Sequence, residues 1–291
     1  MDPDAQGSRS RPALSRDSLF SNANDYLETP MRRFFGWRWW RGWRGWLIFV
    51  VVISVVGTIG GVGLVQAFSA PTEPWSQYPG VPHVPNDQIL KNQTLDQLQP
   101  KVDAAMADVR AAITAEFGFT WSAKGTDVVE YDTNRLGGIS LLNTYDSVTW
   151  QSSQTLRSDA DKKRALKVVT AVMAKDGFGT PELQNLPGPD ALQDFGGFTL
   201  EDQGRWVLAG QPPGVSKGSL QFTILDLSHD RTGILTEQSK KAVTSLGWEP
   251  EYLSISYHGE FMLKQADKAE FARRAAVYEG HIMPVPGRNK D

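Results

Sequence analysis

The chain has 291 residues, of which 40% are hydrophobic and 22% charged, with a net charge of −3 and no cysteine. That length allows two folded domains at most, and the cysteine count excludes disulfides, thiol nucleophiles, thiolate metal sites and lipid attachment through a cysteine of this chain. Residues 1–45 carry eight Arg against five Asp or Glu, a net of +3, which leaves 22 basic and 28 acidic side chains, a net of −6, for residues 46–291. An acidic main region is a poor match for phosphates, so nucleic acid is excluded as its partner. A domain without disulfides outside a cell fits a bacterial envelope better than an animal secretory pathway.

Residues 1–30 are polar and show no hydrophobic periodicity, which predicts a disordered tail. The next stretch, RRFFGWRWWRGWRGW, interleaves Arg32, Arg33, Arg38, Arg41 and Arg44 with Trp37, Trp39, Trp40, Trp43 and Trp46. Residues 46–68 follow without a charge, and 23 residues of helix at about 1.5 Å each reach roughly 34 Å, enough to cross a bilayer. The far flank, SAPTEPWSQYPGVPHVPNDQ, has no Lys or Arg. Positive charge on one side only places the N-terminus in the cytoplasm and residues 69–291 outside, with the tryptophans at headgroup level. A cleaved signal peptide fits less well, because the apolar run exceeds the 7–15 residues usual for signals. Gly57 and Gly61 form a GxxxG pair that would let two spans approach closely and give a homodimer.

Pro71, Pro74, Pro79, Pro82 and Pro85 mark residues 69–90 as a spacer. Two readings stay open: an extended arm of up to about 60 Å, or a stretch wrapped on the domain with Trp75 and Tyr78 as contacts. Residues 91–291 then form the folded domain. Val102, Met106, Val109, Ile113 and Phe117 recur at helical spacing between Pro100 and Gly118. A second helix is expected over 159–176 with Leu166, Val169 and Met173 on its stripe, a third over 236–246, and a fourth over 267–278. Three helices close on Gly118-Phe119, Gly177-Phe178 and Gly247-Trp248, where glycine supplies the left-handed stop.

Strand patterns follow in DVVEYDT, GGISLLNTYDSVTWQSS, FTLEDQGRWVLAG, GSLQFTILDLSH and YLSISYHGEFML. In the last, Leu253, Ile255 and Tyr257 alternate with Ser254, Ser256 and His258, as on a strand with one wet face. Hairpin turns are expected at 202–204 and around 212–218. The fold class is therefore α+β: one N-terminal transmembrane helix, then an extracytoplasmic domain with an antiparallel or mixed sheet and helices packed on one face.

The run SVTWQSS, then DKKRALKVVTAVMAKDGFGTPELQN, then a DFGGFTLEDQGRWVLAG hairpin, resembles the LppA-type family of mycobacterial lipoproteins over residues 95–228. The resemblance implies an actinobacterial envelope protein with an α+β domain and no established activity. It brings no catalytic residues, and the chain departs from it in lacking the lipidated cysteine, which the span would replace as anchor.

Candidate chemistry is sparse. Gly214 to Gly218 spell G-x-S-x-G, and Asp226 and His258 follow Ser216 in hydrolase order, but the motif needs a strand before it and a helix after it. Pro212-Pro213 and a strand pattern flank it instead, so a hairpin loop is expected. His83, His229, His258 and His281 lack metal-site spacing, and His229-Asp230 beside Asp226 reads as turn capping. No catalytic residue, metal or cofactor is expected. The expected role is a binding or scaffolding protein that contacts the lipid bilayer and a cell-wall component or another envelope protein; the alternative is an envelope-associated hydrolase.

Overall fold

The structure is a computed structural model that describes residues 71–215 and 217–284. The expected span, its GxxxG pair Gly57 and Gly61, and the collar from Arg32 to Trp46 lie outside the described residues, as does Ser216. Among the described residues no helix is long and apolar enough to cross a membrane.

The elements run α1 (Asn86–Lys91), α2 (Leu95–Phe117), β1 (Trp121–Lys124), β2 (Val128–Thr133), β3 (Ile139–Asp146), β4 (Thr149–Ser152), α3 (Asp159–Lys175), β5 (Glu182–Leu183), α4 (Pro189–Phe195), β6 (Arg205–Gly210), β7 (Lys217–Leu225), α5 (Ile234–Leu246), β8 (Tyr252–Leu263) and α6 (Lys268–Ala276). They form an α+β domain on one eight-stranded sheet, ordered β1-β4-β8-β7-β6-β5, with the β2–β3 hairpin, inserted in the chain between β1 and β4, pairing through β3 on the same side of β8 as β4. Every strand pairing is antiparallel. The long strand β8 is central: β7 pairs with it over Tyr252 to Glu260, while β4 and β3 share its other side.

α2 and α3 cover one face. Leu98, Val102, Met106, Val109 and Ile113 from α2 and Ala165, Val169 and Met173 from α3 meet Leu220, Phe222 and Ile224 of β7 and Leu253, Ile255 and Tyr257 of β8. Side chains of this size contribute about 1.5–3 kcal/mol each when fully buried, which makes this the main core. The stripe expected for α2 is the buried one, but the helix begins five residues before Pro100. The stronger start signal lies upstream, where the Gln97 side chain accepts the Thr94 N–H at 3.1 Å. Pro100, inside the helix, forgoes a single backbone bond.

Helices are not confined to that face. Leu225 and Tyr252, paired across β7 and β8, point the other way and pack on Leu235 of α5. At the far end of β8, Phe261 and Leu263 pack with Leu142, Ile89 of α1 and Phe271 of α6. Placing helices on one face alone is therefore corrected: α5 caps one end of the second face and α1 with α6 the other. The switch for α6 is a bulge, since Tyr145 pairs with Gly259 but Asn143 with Met262, and Phe261 takes a φ of 63°. The middle of this second face, from Ser219 and Thr223 to Ser256 and His258, is polar.

One open reading is resolved and one segment differs from expectation. Residues 71–91 wrap on the domain, as in the second reading of this stretch, and do not stand off as an extended arm. Tyr78, Val81 and Ile89 are buried, the side-chain amide of Asn134 donates to the carbonyls of Trp75, Ser76 and Tyr78, and Tyr278 donates to the carbonyl of Pro74. The folded domain thus takes in the segment expected to be a spacer. Residues 198–204 do not form the first arm of a hairpin. Buried Gln203 donates to the carbonyls of Leu186 and Gly197, which folds the segment into a compact turn, and the outer neighbour of β6 is the short β5. The turn expected around 212–218 does join β6 to β7.

Candidate functional site

The Ser–Asp–His order does not become a triad. Asp226 follows β7 beside Tyr252, whereas His258 pairs with Ser219 at the other end of the β7–β8 ladder. Six residues of strand separate Tyr252 from His258, about 20 Å at ~3.3 Å per residue. Asp226 also points into the main core side, where its carboxylate meets Lys162 at 2.9 Å and Arg157 at 2.9 Å and accepts the Ser228 hydroxyl at 2.6 Å. Burial disfavours its charge, but the bonds from Ser228 and Lys162 outweigh burial and hold its carboxyl below the usual range. Lys162 lies over the Trp206 ring at 5.5 Å, and Arg157 grips Glu251 with both terminal nitrogens. This cluster ties α3 to the end of the sheet. His229 reaches only the rim of it, 3.7 Å from Asp226. Asp230 caps α5 by accepting the N–H and hydroxyl of Thr236 at 2.7 and 2.8 Å. Among the described residues no group of three or more His, Asp or Glu side chains could hold a metal ion.

A different group assembles on the second face. His258 and Glu260 project from β8, Asp146 from β3 and Lys217 from β7, because alternate residues of paired strands share a face. Nδ1 of His258 lies 2.6 Å from Asp146, Nε2 lies 3.8 Å from Glu260, and Lys217 lies 3.2 Å from Glu260. Burial opposes the imidazolium, yet the hydrogen bond to Asp146 and the charges of Asp146 and Glu260 together push its pKa up to about 9. The nearby His258 and Lys217 hold Glu260 down at about 2 despite burial. An imidazole that keeps its proton at neutral pH offers few lone pairs to a substrate proton, which makes His258 a poor general base. Next to the strip, the bulge is fixed by Asp132, which accepts the Phe261 N–H at 3.2 Å and the Thr144 hydroxyl at 2.7 Å; burial pushes its carboxyl up against those bonds.

The strip runs into the β2–β3 hairpin, where Val128 pairs with Asp146. Val128, Val129, Tyr131 and Ile139 are 41, 36, 53 and 67% exposed, four of the nine exposed large hydrophobic side chains among the described residues. A shallow, open concavity of ≈ 510 Å³ at the hairpin tip is lined by Thr133, Arg135, Gly137, Gly138 and Ile139. Such a surface offers contact area and no enclosed reaction chamber. Alternation in the sequence places His258 on a wet strand face, and the structure puts Glu260 on the same face. Asp146 and the apolar hairpin had no local signal, because their roles come from cross-strand neighbours. No family model, curated protein or solved structure matches the chain.

Proposed function

We propose that the chain is a membrane-anchored, extracytoplasmic binding or scaffolding protein of a bacterial envelope. The observation that carries the binding role is the concentration of exposed apolar side chains on the β2–β3 hairpin, with Val128 on the face of the charged strip and Val129 and Tyr131 on the opposite face. Soluble surfaces scatter such side chains singly, and a cluster marks a contact site. The anchor and its direction rest on the arginine and tryptophan collar and the uncharged run of residues 46–68. The actinobacterial setting rests on the resemblance to the LppA-type lipoproteins. The hydrolase alternative is weaker, since His258 is held as a cation and Asp226 is committed to Lys162.

A photo-crosslinking amino acid at Tyr131 of the full-length protein, in its own membrane, tests the reading. Adducts with an envelope component are expected at Tyr131 and not at exposed Thr244 of α5. Equal labelling at both positions would overturn the binding role of the hairpin.

A further inference from the structure

The geometry points to strand addition: β2 is a docking edge for an extended, lysine- or arginine-bearing segment of a partner protein. This inference rests on the binding role proposed above and names its chemistry. β2 pairs with β3 alone among the described residues, so alternate N–H and C=O groups of Val128 to Tyr131 face away from the sheet. Sheet edges of this kind are ordinarily blunted by lysine, proline or a covering loop. β2 has neither lysine nor proline, every residue but Asp132 is exposed, and its apolar side chains are β-branched or aromatic, as strand pairing favours. The bulge after Tyr131, with Asp132 turned inward to the Phe261 N–H, ends the usable edge at one end.

Charge selects the occupant. Glu130 is exposed on the edge, and Asp127, whose carboxylate accepts the Val148 N–H at 2.7 Å, is exposed at its start, while β2 carries no basic residue. A second copy of β2 laid on this edge would bring Asp127 and Glu130 of both chains together, and like charges on adjacent strands are destabilising. A basic strand gains the same backbone bonds together with opposite charges. Addition of an extended peptide to a sheet edge draws affinity from main-chain bonds and specificity from alternate side chains.

The test uses the full chain in a mild non-ionic detergent and an end-blocked peptide, Thr-Lys-Val-Lys-Val-Lys-Thr, followed by fluorescence anisotropy. Two control peptides replace every lysine by glutamate or N-methylate every backbone amide, which keeps the charge and removes the donors. Binding of the first peptide is expected to exceed both controls by about tenfold or more, and Glu130→Lys should weaken it while improving the glutamate peptide. Equal binding of the N-methylated peptide would overturn strand addition, and so would a dimer of the chain that Glu130→Lys alters. No binding of any peptide would overturn the choice of a basic strand. Crosslinks from Tyr131 that persist in either case leave the binding role standing, whereas their absence removes both.

Discussion

Nδ1 of His258 lies 2.6 Å from the Asp146 carboxylate and joins β8 to β3 across the second face of the sheet. The folded chain holds the imidazole proton more tightly than the unfolded chain, with a pKa raised from 6.5 to about 9. The resulting stabilisation is complete below pH 6.5 and is lost as pH rises through 9. For Glu260, lowered from 4.5 to about 2, it is complete above pH 4.5 and is lost as pH falls through 2. The thermal midpoint should therefore decline between pH 6.5 and 9, and His258→Gln should flatten that decline. Identical slopes for the two proteins would show that the pair contributes nothing.

Lys162 and Asp226 are both 0% exposed. Lys162→Met leaves the carboxylate buried with only part of its compensation, and a loss of about 3 kcal/mol is expected in urea denaturation. The double replacement Lys162→Met with Asp226→Leu should recover most of it, because an apolar pair of similar volume requires no buried charge. If the double variant is as unstable as the single one, Arg157 and Ser228 carry the site instead.

A Cβ on Gly138 would stand 1.7 Å from the Ser76 carbonyl oxygen. Gly138→Ala should cost about 1–3 kcal/mol and detach residues 71–80, which limited proteolysis reads as early cutting in that segment. Gly125→Ala is the comparison: its φ of 75° strains the backbone but its Cβ meets open space, so the segment should stay protected.

Replacing Arg32, Arg33, Arg38, Arg41 and Arg44 by glutamate removes the charge bias that orients the proposed span. Protease added outside intact cells should then reach the C-terminal domain in only part of the population. Gly57→Ile with Gly61→Ile should abolish any dimer formed through the span, and unchanged crosslinking of the pair would sink that contact.

Elements with their own caps and periodicity were legible from the chain. α3 runs from Asp159 to Lys175 against an expected 159–176, and Gly118, Gly177 and Gly247 all take the left-handed φ that ends a helix. Extending the α3 stripe back one turn from Leu166 lands on Lys162, and a lysine on a buried stripe signals a buried acid; the acid, Asp226, is 64 residues away and leaves no local trace. The same limit hid Asp146 from His258, whose adjacency exists only in the register of β3 on β8. Residues 198–204 imitate a strand in their spacing, but Gln203 and close approach at Gly197, whose Cβ would lie 2.3 Å from the Asp202 carbonyl, favour a turn.

The central position of β8 orders events in time. Residues 252–263 leave the ribosome after every other strand, yet they lie between β7 on one side and β3 with β4 on the other. Until they arrive, the strands can form only three separate ladders, β1 with β4, β2 with β3, and β5 to β7, each with open edges. Contacts across such sequence distances form slowly, so closure of the sheet belongs to the last stage of synthesis, when nearly all of the chain has already emerged.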